Sequence, residues 1–414
     1  MQQRRRLQTL DSWRAYRDFR FLWIGNFFAN TAQWLQLLSV GWLVRDLTDS
    51  FASSGLLVVT VGGMTTLPTL IVGPWAGVLG DLVDRRKLVM FVQSFMALAA
   101  LAFALIVSSG HVEWWHAYIY VIISGVCWST TLTIRQTLVA NTVPKEALVN
   151  AYASNTLTIT GTRMIGPFIG GVLITTVGVS WNFAIEAGLY AATVLAFLPM
   201  KTPYTQQRLE KSSRSPLANF MEGIQYVRKE ERVIWNLLLL GLIPNVLLHP
   251  AWFVLPVFTV EVLHRSADVG GVLLAVTGLG GLISAVTIAS VGFGTSRGMI
   301  CLGSILLASI SVLLFAHSPW LVPAAILIGL MSLAQATFRT SSSTLIQSLV
   351  PDHLRSRITS LHLYSQGFVF MSSLAVGLLV DITNVVIALT AVGAAGLVLG
   401  SVSYLILPRV RQAR

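Results

Sequence analysis

Twelve transmembrane helices, arranged as two parallel six-helix halves of an all-α integral membrane protein, are what this sequence predicts. Three observations lead there: a scarcity of charge, apolar runs of bilayer length, and a repeat at half the chain length. Hydrophobic residues make up 54% of the chain and charged residues 11%, with a mean hydropathy of +0.72. A soluble domain carries about 25% charged residues because its surface must be hydrated. A chain this poor in charge cannot cover itself in water, so the bilayer must supply the missing solvent. A helix crossing a hydrocarbon core ~30 Å thick needs roughly 20 apolar residues. The 414 residues therefore hold about a dozen spans with short loops.

Reading apolar runs against polar breaks gives spans at 21–44, 54–79, 88–108, 117–138, 155–176, 180–199, 234–259, 268–292, 298–316, 319–340, 362–381 and 384–406. The breaks between the fifth and sixth spans and between the last two are the weakest. Trp114, Trp115, Trp181 and Trp320 fall at predicted outer edges, where an amphipathic ring prefers the headgroup level. The first run exceeds the apolar segment of a secretory signal and reads as an uncleaved anchor.

Charge sets the orientation. The net charge is +11, with bases clustered at Arg4, Arg5, Arg6, Arg14, Arg17 and Arg20, at Arg85, Arg86 and Lys87, between Lys201 and Arg232, and at Arg409, Arg411 and Arg414. An even number of passes separates these clusters, so all lie on one side. The opposite loops hold few bases, chiefly Arg45 and Arg265. The positive-inside rule makes the basic side, with both termini, cytoplasmic. This distribution accounts for the charge without a nucleic-acid partner. Cys127 and Cys301 sit inside apolar runs and read as small buried side chains rather than a disulfide or thiolate metal site.

The longest polar segment, Lys201 to Arg232, divides the chain into an N-terminal bundle (1–200), a cytoplasmic linker (201–233) and a C-terminal bundle (234–414). Phe220, Ile224 and Val227 recur at helical spacing in the second part of the linker, with Arg228, Lys229 and Arg232 following. That pattern suits an amphipathic helix lying along the interface. The segment RQTLVANTVPKEALVNAYAS (135–154) resembles SSTLIQSLVPDHLRSRITSL (342–361): Thr137, Leu138, Val143 and Pro144 match Thr344, Leu345, Val350 and Pro351 at a shift of 207 residues. A repeat joining two six-helix units points to parallel halves related by an axis along the membrane normal.

Two motifs carry mechanism. The loop GVLGDLVDRRK places Gly77, Asp81, Arg85 and Arg86 in order and resembles the signature loop of the major facilitator superfamily. Leu82 and Asp84 stand where that pattern prefers a base and a glycine. A glycine near a helix end permits close packing. A carboxylate just outside the bilayer can cap another helix's positive N-terminus or pair with the arginines, a contact able to form in one state of a transport cycle and break in the other. The second half has a degenerate counterpart, VGFGTSRG (291–298), without an acid, so the latch is one-sided, its expected partner the start of span eleven near Ser360. Span five contains GTRMIGPFIGG, with Gly161, Gly166, Pro167, Gly170 and Gly171. This is similar to the signature of drug–proton exchangers: the glycines let helices approach, and the proline removes a backbone hydrogen bond and bends the helix. Over nearly the whole chain the sequence resembles the enterobactin-exporter and macrolide-efflux branch of that superfamily. Span four lacks the mid-helix arginine of many proton-coupled members, with Arg135 read at its cytoplasmic end.

Polar groups inside the bilayer are the functional candidates, because burying them is unfavourable. Asn26, Asn30, Gln33 and Gln36 fall within about 120° of the circumference of span one and are expected to line a cavity or to bond between helices. Glu186, ~9 Å from the outer end of span six, is the clear acid within a span and the candidate proton or cation site, with a static polar contact as the rival reading. Asn245 and His249 lie one turn apart on span seven. Arg163 and Arg339 read as lying near the cytoplasmic ends of spans five and ten, where they either snorkel to the interface or attract an anionic substrate such as a catecholate siderophore.

An enzyme is disfavoured: no P-loop or His-Glu-x-x-His pattern occurs. The resemblance implies export of a siderophore or amphipathic drug by proton-coupled antiport, with import of a small nutrient as the alternative. The expected partners are a small-molecule substrate, protons and lipid, for a monomer without cofactor or metal. The latch reading makes one prediction: Asp81→Asn impairs transport while membrane insertion stays intact, measured by transport and by quantifying the inserted protein. Transport at the unsubstituted rate would remove the latch.

Overall fold

The computed structural model describes residues 11–72, 75, 83–204, 221, 224–225, 227–228, 232–291, 296–350, 358 and 365–413. The described elements are helical. A short helix α1 (Asp11–Ala15) leads into α2 (Arg17–Thr48), α3 (Ser54–Met64), α4 (Arg85–Ser108), α5 (Trp114–Thr142), α6 (Leu148–Thr176) and α7 (Val179–Phe197). After the linker come α8 (Arg232–Leu242), α9 (Leu255–Glu261), α10 (Ala267–Val291), α11 (Arg297–Ala316), α12 (Leu321–Leu349), α13 (Val369–Ile382), α14 (Val385–Ile406) and α15 (Pro408–Gln412). Among the described residues, ten helices are long and apolar enough to cross a membrane, α3 continuing to Val72 for this purpose. Helices α2 and α7 are not among those ten, because each carries polar groups along its length, Asn26, Asn30, Gln33 and Gln36 on α2 and Asn182 and Glu186 on α7. Phe91, Leu98 and Leu105 recur every seven residues on α4 and are 71%, 67% and 61% exposed. An apolar stripe left uncovered by protein is what a lipid-facing helix presents.

Helices α2 to α7 are called here the first set and α8 to α14 the second; α2, α4, α5 and α7 pack chiefly within the first and α11, α12 and α14 within the second, whereas α3, α6, α10 and α13 each have their most extensive contact across the two. Helices α5 and α12 are each 29 residues long; their starts, Trp114 and Leu321, and their ends, Thr142 and Leu349, are each 207 positions apart, matching the sequence repeat. The face bearing α1, α15 and the starts of α4, α6 and α11 is called here the terminal face, and the opposite one the far face. At the terminal face, Arg86 donates from Nε to the carbonyl of Phe197 at 2.9 Å and from Nη2 to that of Leu198. A cation thus meets the negative C-terminus of α7. Asp84, where the signature prefers glycine, instead caps α4 by accepting from the Lys87 amide at 3.0 Å. Gly77 and Asp81 lie outside the described residues, as do Ser360 and most of the expected linker helix; Val227, buried, joins Ile234 and Leu237 in the core of the second set.

The expected continuous span at 234–259 is instead broken. Helix α8 ends at Leu242 and gives way to a π-turn (Ile243–Leu247), a 3-10 turn (His249–Trp252) and then α9. Pro244, Pro250 and Pro256 each lack an amide proton, which prevents a continuous i→i−4 ladder. The backbone acceptors left free find side-chain donors: Gln335 Nε2 reaches the Pro244 carbonyl at 2.7 Å, and Ser372 Oγ the Val246 carbonyl at 2.7 Å. Such compensation is required where backbone breaks at membrane depth.

The two sets meet most extensively where α6 crosses α10 and α3 crosses α13. A Cβ on Gly171 would stand 2.7 Å from the Ala267 carbonyl oxygen, and one on Gly271 would stand 2.5 Å from that of Pro167. The helices therefore touch backbone to backbone towards the far face. Across the other seam, Asp381 Oδ1 accepts from the Leu56 amide at 3.0 Å, a carboxylate of one set placed on the N-terminus of a helix of the other. Gly271→Leu is expected to push α10 off α6 and to lower stability by about 1–3 kcal/mol, read as a lower melting temperature of the purified protein in detergent. An unchanged melting temperature would contradict the close crossing.

Candidate functional site

Helix α2 carries the four polar residues expected to line a cavity, and most of them are engaged otherwise. Asn26 Nδ2 donates to Asn155 Oδ1 at 2.9 Å and Asn30 Nδ2 to Thr158 Oγ1 at 3.3 Å, both on α6. Gln36 Oε1 accepts from Ser124 Oγ of α5 at 2.7 Å. Three of the four thus tie α2 to α5 and α6, although Asn26 Oδ1 and Gln36 Nε2 keep no hydrogen-bond partner among the described residues. Gln33 differs and borders a small cavity shared with Gln93, Trp128, Thr131, Arg135 and Tyr190.

That cavity adjoins the buried acid. Glu186 is fully buried, and its Oε1 accepts from the Tyr120 hydroxyl at 2.6 Å. Tyr190, one turn further along α7, brings a second hydroxyl beside the carboxyl. Aromatic rings enclose the group: Phe103 stacks on Tyr120 at 4.5 Å, and Phe183 meets Phe103 edge-on at 4.7 Å. A carboxyl in such a lining is held by phenols rather than by a cation. Its Oε2 has no hydrogen-bond partner among the described residues.

Arg135 was expected at the end of span four and instead lies inside α5, 5% exposed. Its guanidinium sits 5.1 Å from the Trp128 ring centroid. Its Nε and Nη1 have no hydrogen-bond partner among the described residues, and Tyr190 lies close enough to interact with both Arg135 and Glu186. Asn182, Glu186, Tyr190 and Thr193 form a buried polar stripe on α7; that spacing is present in the sequence and identifies Tyr190 as Glu186's neighbour. Tyr120, on a different helix, leaves no such trace.

The second cluster lies between the sets. Arg163 was expected near the end of span five, but it stands near the middle of α6 and is 8% exposed. The nearby Gly166 lets α6 press on α2, where a Cβ would stand 2.9 Å from Trp34 Cβ. Arg163 then reaches across the boundary. Its Nε donates to Thr277 Oγ1 on α10 at 3.3 Å, and its Nη2 to Ser332 Oγ on α12 at 2.9 Å. The guanidinium carbon is 5.1 Å from the Trp34 ring and 4.1 Å from the Trp252 ring. Ser332 in turn donates to the Thr277 carbonyl at 2.7 Å.

Arg339 and His249 lie within the electrostatic range of Arg163. Arg339 is exposed on the spanning helix α12. His249 is half-buried, with its ring 4.4 Å from that of Trp252. Asn245, on the broken segment, is also half-buried. Gly161, at the end of the exporter-like motif nearer the terminal face, has no atom within 4 Å of where a Cβ would stand, and Gly170 has only ordinary contacts. The motif thus packs tightly at Gly166 and Gly171 and loosely at Gly161. Among the described residues no cluster of His, Cys, Asp and Glu could hold a metal ion.

A family model described as a transmembrane secretion effector matches residues 12–413. The chain is 22% identical over 393 residues to the staphyloferrin A transporter of Staphylococcus aureus, covering 94% of this chain and 96% of that protein. It is 25% identical over 359 residues to the enterobactin exporter EntS of Escherichia coli O1:K1, covering 86% of this chain and 83% of that one. Among solved structures, the nucleoside transporter NupG superposes with a TM-score of 0.72 at 14% identity, covering 94% of this chain and 98% of that chain. The D-xylose–proton symporter does so with a TM-score of 0.73 at 12% identity, covering 95% and 98%. At these identities the structures bear on the fold alone.

Proposed function

Because the chain belongs to the transmembrane secretion effector family of the major facilitator superfamily, we propose that it exports a siderophore-type small molecule from the cytoplasm by alternating access. The protein is a multi-pass membrane transporter and not an enzyme. Helices α2 and α7 complete a set of twelve with the ten spans, in two six-helix halves, 1–200 and 234–414, joined by the linker. The host membrane is the bacterial inner membrane, and the terminal face, where the basic clusters of the sequence fall, is its cytoplasmic side.

One observation carries the mechanism: α6 and α10 touch backbone to backbone from the far-face end to mid-helix, where Gly278 lies against the Arg163–Met164 backbone. Gly171 and Gly271 meet backbone to backbone, and Arg163 bonds to Thr277 and Ser332. Together with Asp381 on the N-terminus of α3, this fits a state closed outside and accessible from the cytoplasm, the state in which an exporter loads. Rocking of the halves about the midplane would then expose the same site outside. In this reading Pro167 and the glycines around it shape the helix that seals the outer side, and the loop of Gly77, Asp81, Arg85 and Arg86 latches the cytoplasmic side in the opposite state.

Proton antiport supplies the energy. Each charge moving down the membrane potential releases about 2.3 kcal/mol per 100 mV. Glu186, buried among Tyr120, Tyr190 and Phe103, is the proton carrier. The Arg163–Arg339–His249 cluster between the halves is the substrate site, and the protein works as a monomer.

Efflux from a bacterial strain stripped of its own exporters tests the reading, with siderophore and lipophilic-drug panels compared before and after collapse of the proton gradient. Gradient-dependent loss of siderophore from cells carrying the protein is the expected result. No efflux of any compound, with the protein confirmed in the membrane, would favour import instead. In reconstituted vesicles, Glu186→Gln is expected to abolish the dependence of exchange on pH, and unchanged coupling would clear Glu186 of the proton role.

A further inference from the structure

The chemistry around Arg163 is unusual for a buried cation. Among the described residues no carboxylate pairs with it; its partners are two hydroxyls, Thr277 and Ser332, and two indole faces, Trp34 and Trp252. Trp34 belongs to the same set of helices as Arg163, whereas Thr277, Ser332 and Trp252 all belong to the other. Each hydrogen bond this guanidinium makes in the structure is therefore a tie between the sets.

We propose that Arg163 is a substrate-operated tie: an anionic oxygen pair on the substrate, a carboxylate or a catecholate, takes the guanidinium away from Thr277 and Ser332 and so loosens the closed far face. This deepens the export reading and rests on it for the direction of transport, though not for the binding event.

The competition is set by charge. Hydrogen bonds from a guanidinium to an ionised acceptor are roughly twice as strong as those between neutral groups, and a paired anionic oxygen matches the planar fork of arginine in a bidentate way that two separate hydroxyls cannot. The hydroxyls lose little on release, since Ser332 keeps its bond to the Thr277 carbonyl. Arg339 adds positive potential beside Arg163, which draws an anion and repels a cation. Once the guanidinium turns to the anion, the faces of Trp34 and Trp252 are released and offer a flat apolar surface to an aromatic substrate.

The coupling follows from differential binding. A ligand shifts a conformational equilibrium only by as much as it prefers one state. In the closed far-face state Arg163 must give up its cross-set bonds to hold the anion, whereas in the opposite state those bonds are already broken. The anion therefore binds the opposite state more tightly and shifts the population towards it. A neutral ligand of the same shape has no such preference, so the device also selects for charge.

The test uses the full chain in lipid nanodiscs, with three probes: citrate as a polycarboxylate, 2,3-dihydroxybenzoate as a catecholate carrying a carboxylate, and uncharged 1,2-dimethoxybenzene. Affinity is read by competition calorimetry. Opening is read from the labelling rate of a cysteine placed by Leu56→Cys, beneath Gly377 at the far-face seam. At least one anion is expected to bind and to raise labelling severalfold, and the neutral probe to do neither. Arg163→Gln is expected to weaken the anion at least tenfold and to label fast without any ligand, while Arg163→Lys, keeping the charge but not the fork, falls between. If Arg163→Gln does not reach the membrane, Arg339→Gln must still weaken the anion. Citrate binding with no response to 2,3-dihydroxybenzoate would assign a polycarboxylate ligand, and the reverse an aromatic carboxylate; either supports the tie. Equal binding of neutral and charged probes, or anion binding unaffected in both Arg163 variants, would overturn it. Arg163-dependent binding in a protein that shows no efflux would sink the export reading and leave the tie standing.

Discussion

Helix α6 meets α10 with no side chain between them, Gly171 lying against Ala267 and Gly271 against Pro167, and this backbone contact is the constraint on which the rest depends. Such an approach brings the chain of one set close enough to the other for a mid-helix side chain to cross the boundary. Arg163, two turns from Gly171, does so and reaches Thr277 and Ser332. A larger residue at Gly171 or Gly271 would separate the helices and leave the guanidinium without its cross-set acceptors. Pro167 adds to the geometry, since its missing amide relaxes the helix at the level of the contact. Apolar attraction between helices is weak in lipid, so close packing and buried hydrogen bonds must hold the sets together.

The two polar clusters are separated by position. Glu186 with Tyr120 and Tyr190 lies wholly inside the first set, enclosed by Phe103 and Phe183. Arg163, Arg339 and His249 lie where the sets meet. An acid confined to one rigid bundle can exchange a proton without disturbing the boundary. A cation on the boundary changes partners whenever the bundles move. Arg135, buried beside Tyr190 and bordering the same small cavity as Gln33, sits where it can influence the acid from within its own bundle. Coupling of proton and substrate then requires that the first set hold a different shape in its two protonation states.

Much of the fold was legible in the sequence, because the bilayer imposes length and composition on every span. The repeat at 135–154 and 342–361 foretold two helices, α5 and α12, whose ends differ by the same 207 positions. The sequence misled at span seven, where hydropathy sees one run but three prolines break the hydrogen-bond ladder; Gln335 and Ser372, which repair the break, come from distant segments. Helical periodicity placed Asn26, Asn30 and Gln36 on one face but could not say whether that face met water or another helix. It met α5 and α6. Arg163 and Arg135 were read too near the helix ends because both helices run further towards the terminal face than their apolar stretches, to Leu148 and Thr142. The partners of Arg163, three of them from the other set, follow from tertiary contact alone.

The central claim is that the far face is closed in this structure and opens when substrate binds. The most direct measurement is the distance between spin labels at Phe51 and Thr383, exposed far-face positions on opposite sets, by pulsed electron resonance with and without exported substrate. The account predicts one short distance in the empty protein and a second, longer population once substrate is present. A single short distance that persists with substrate bound and transport running would contradict it.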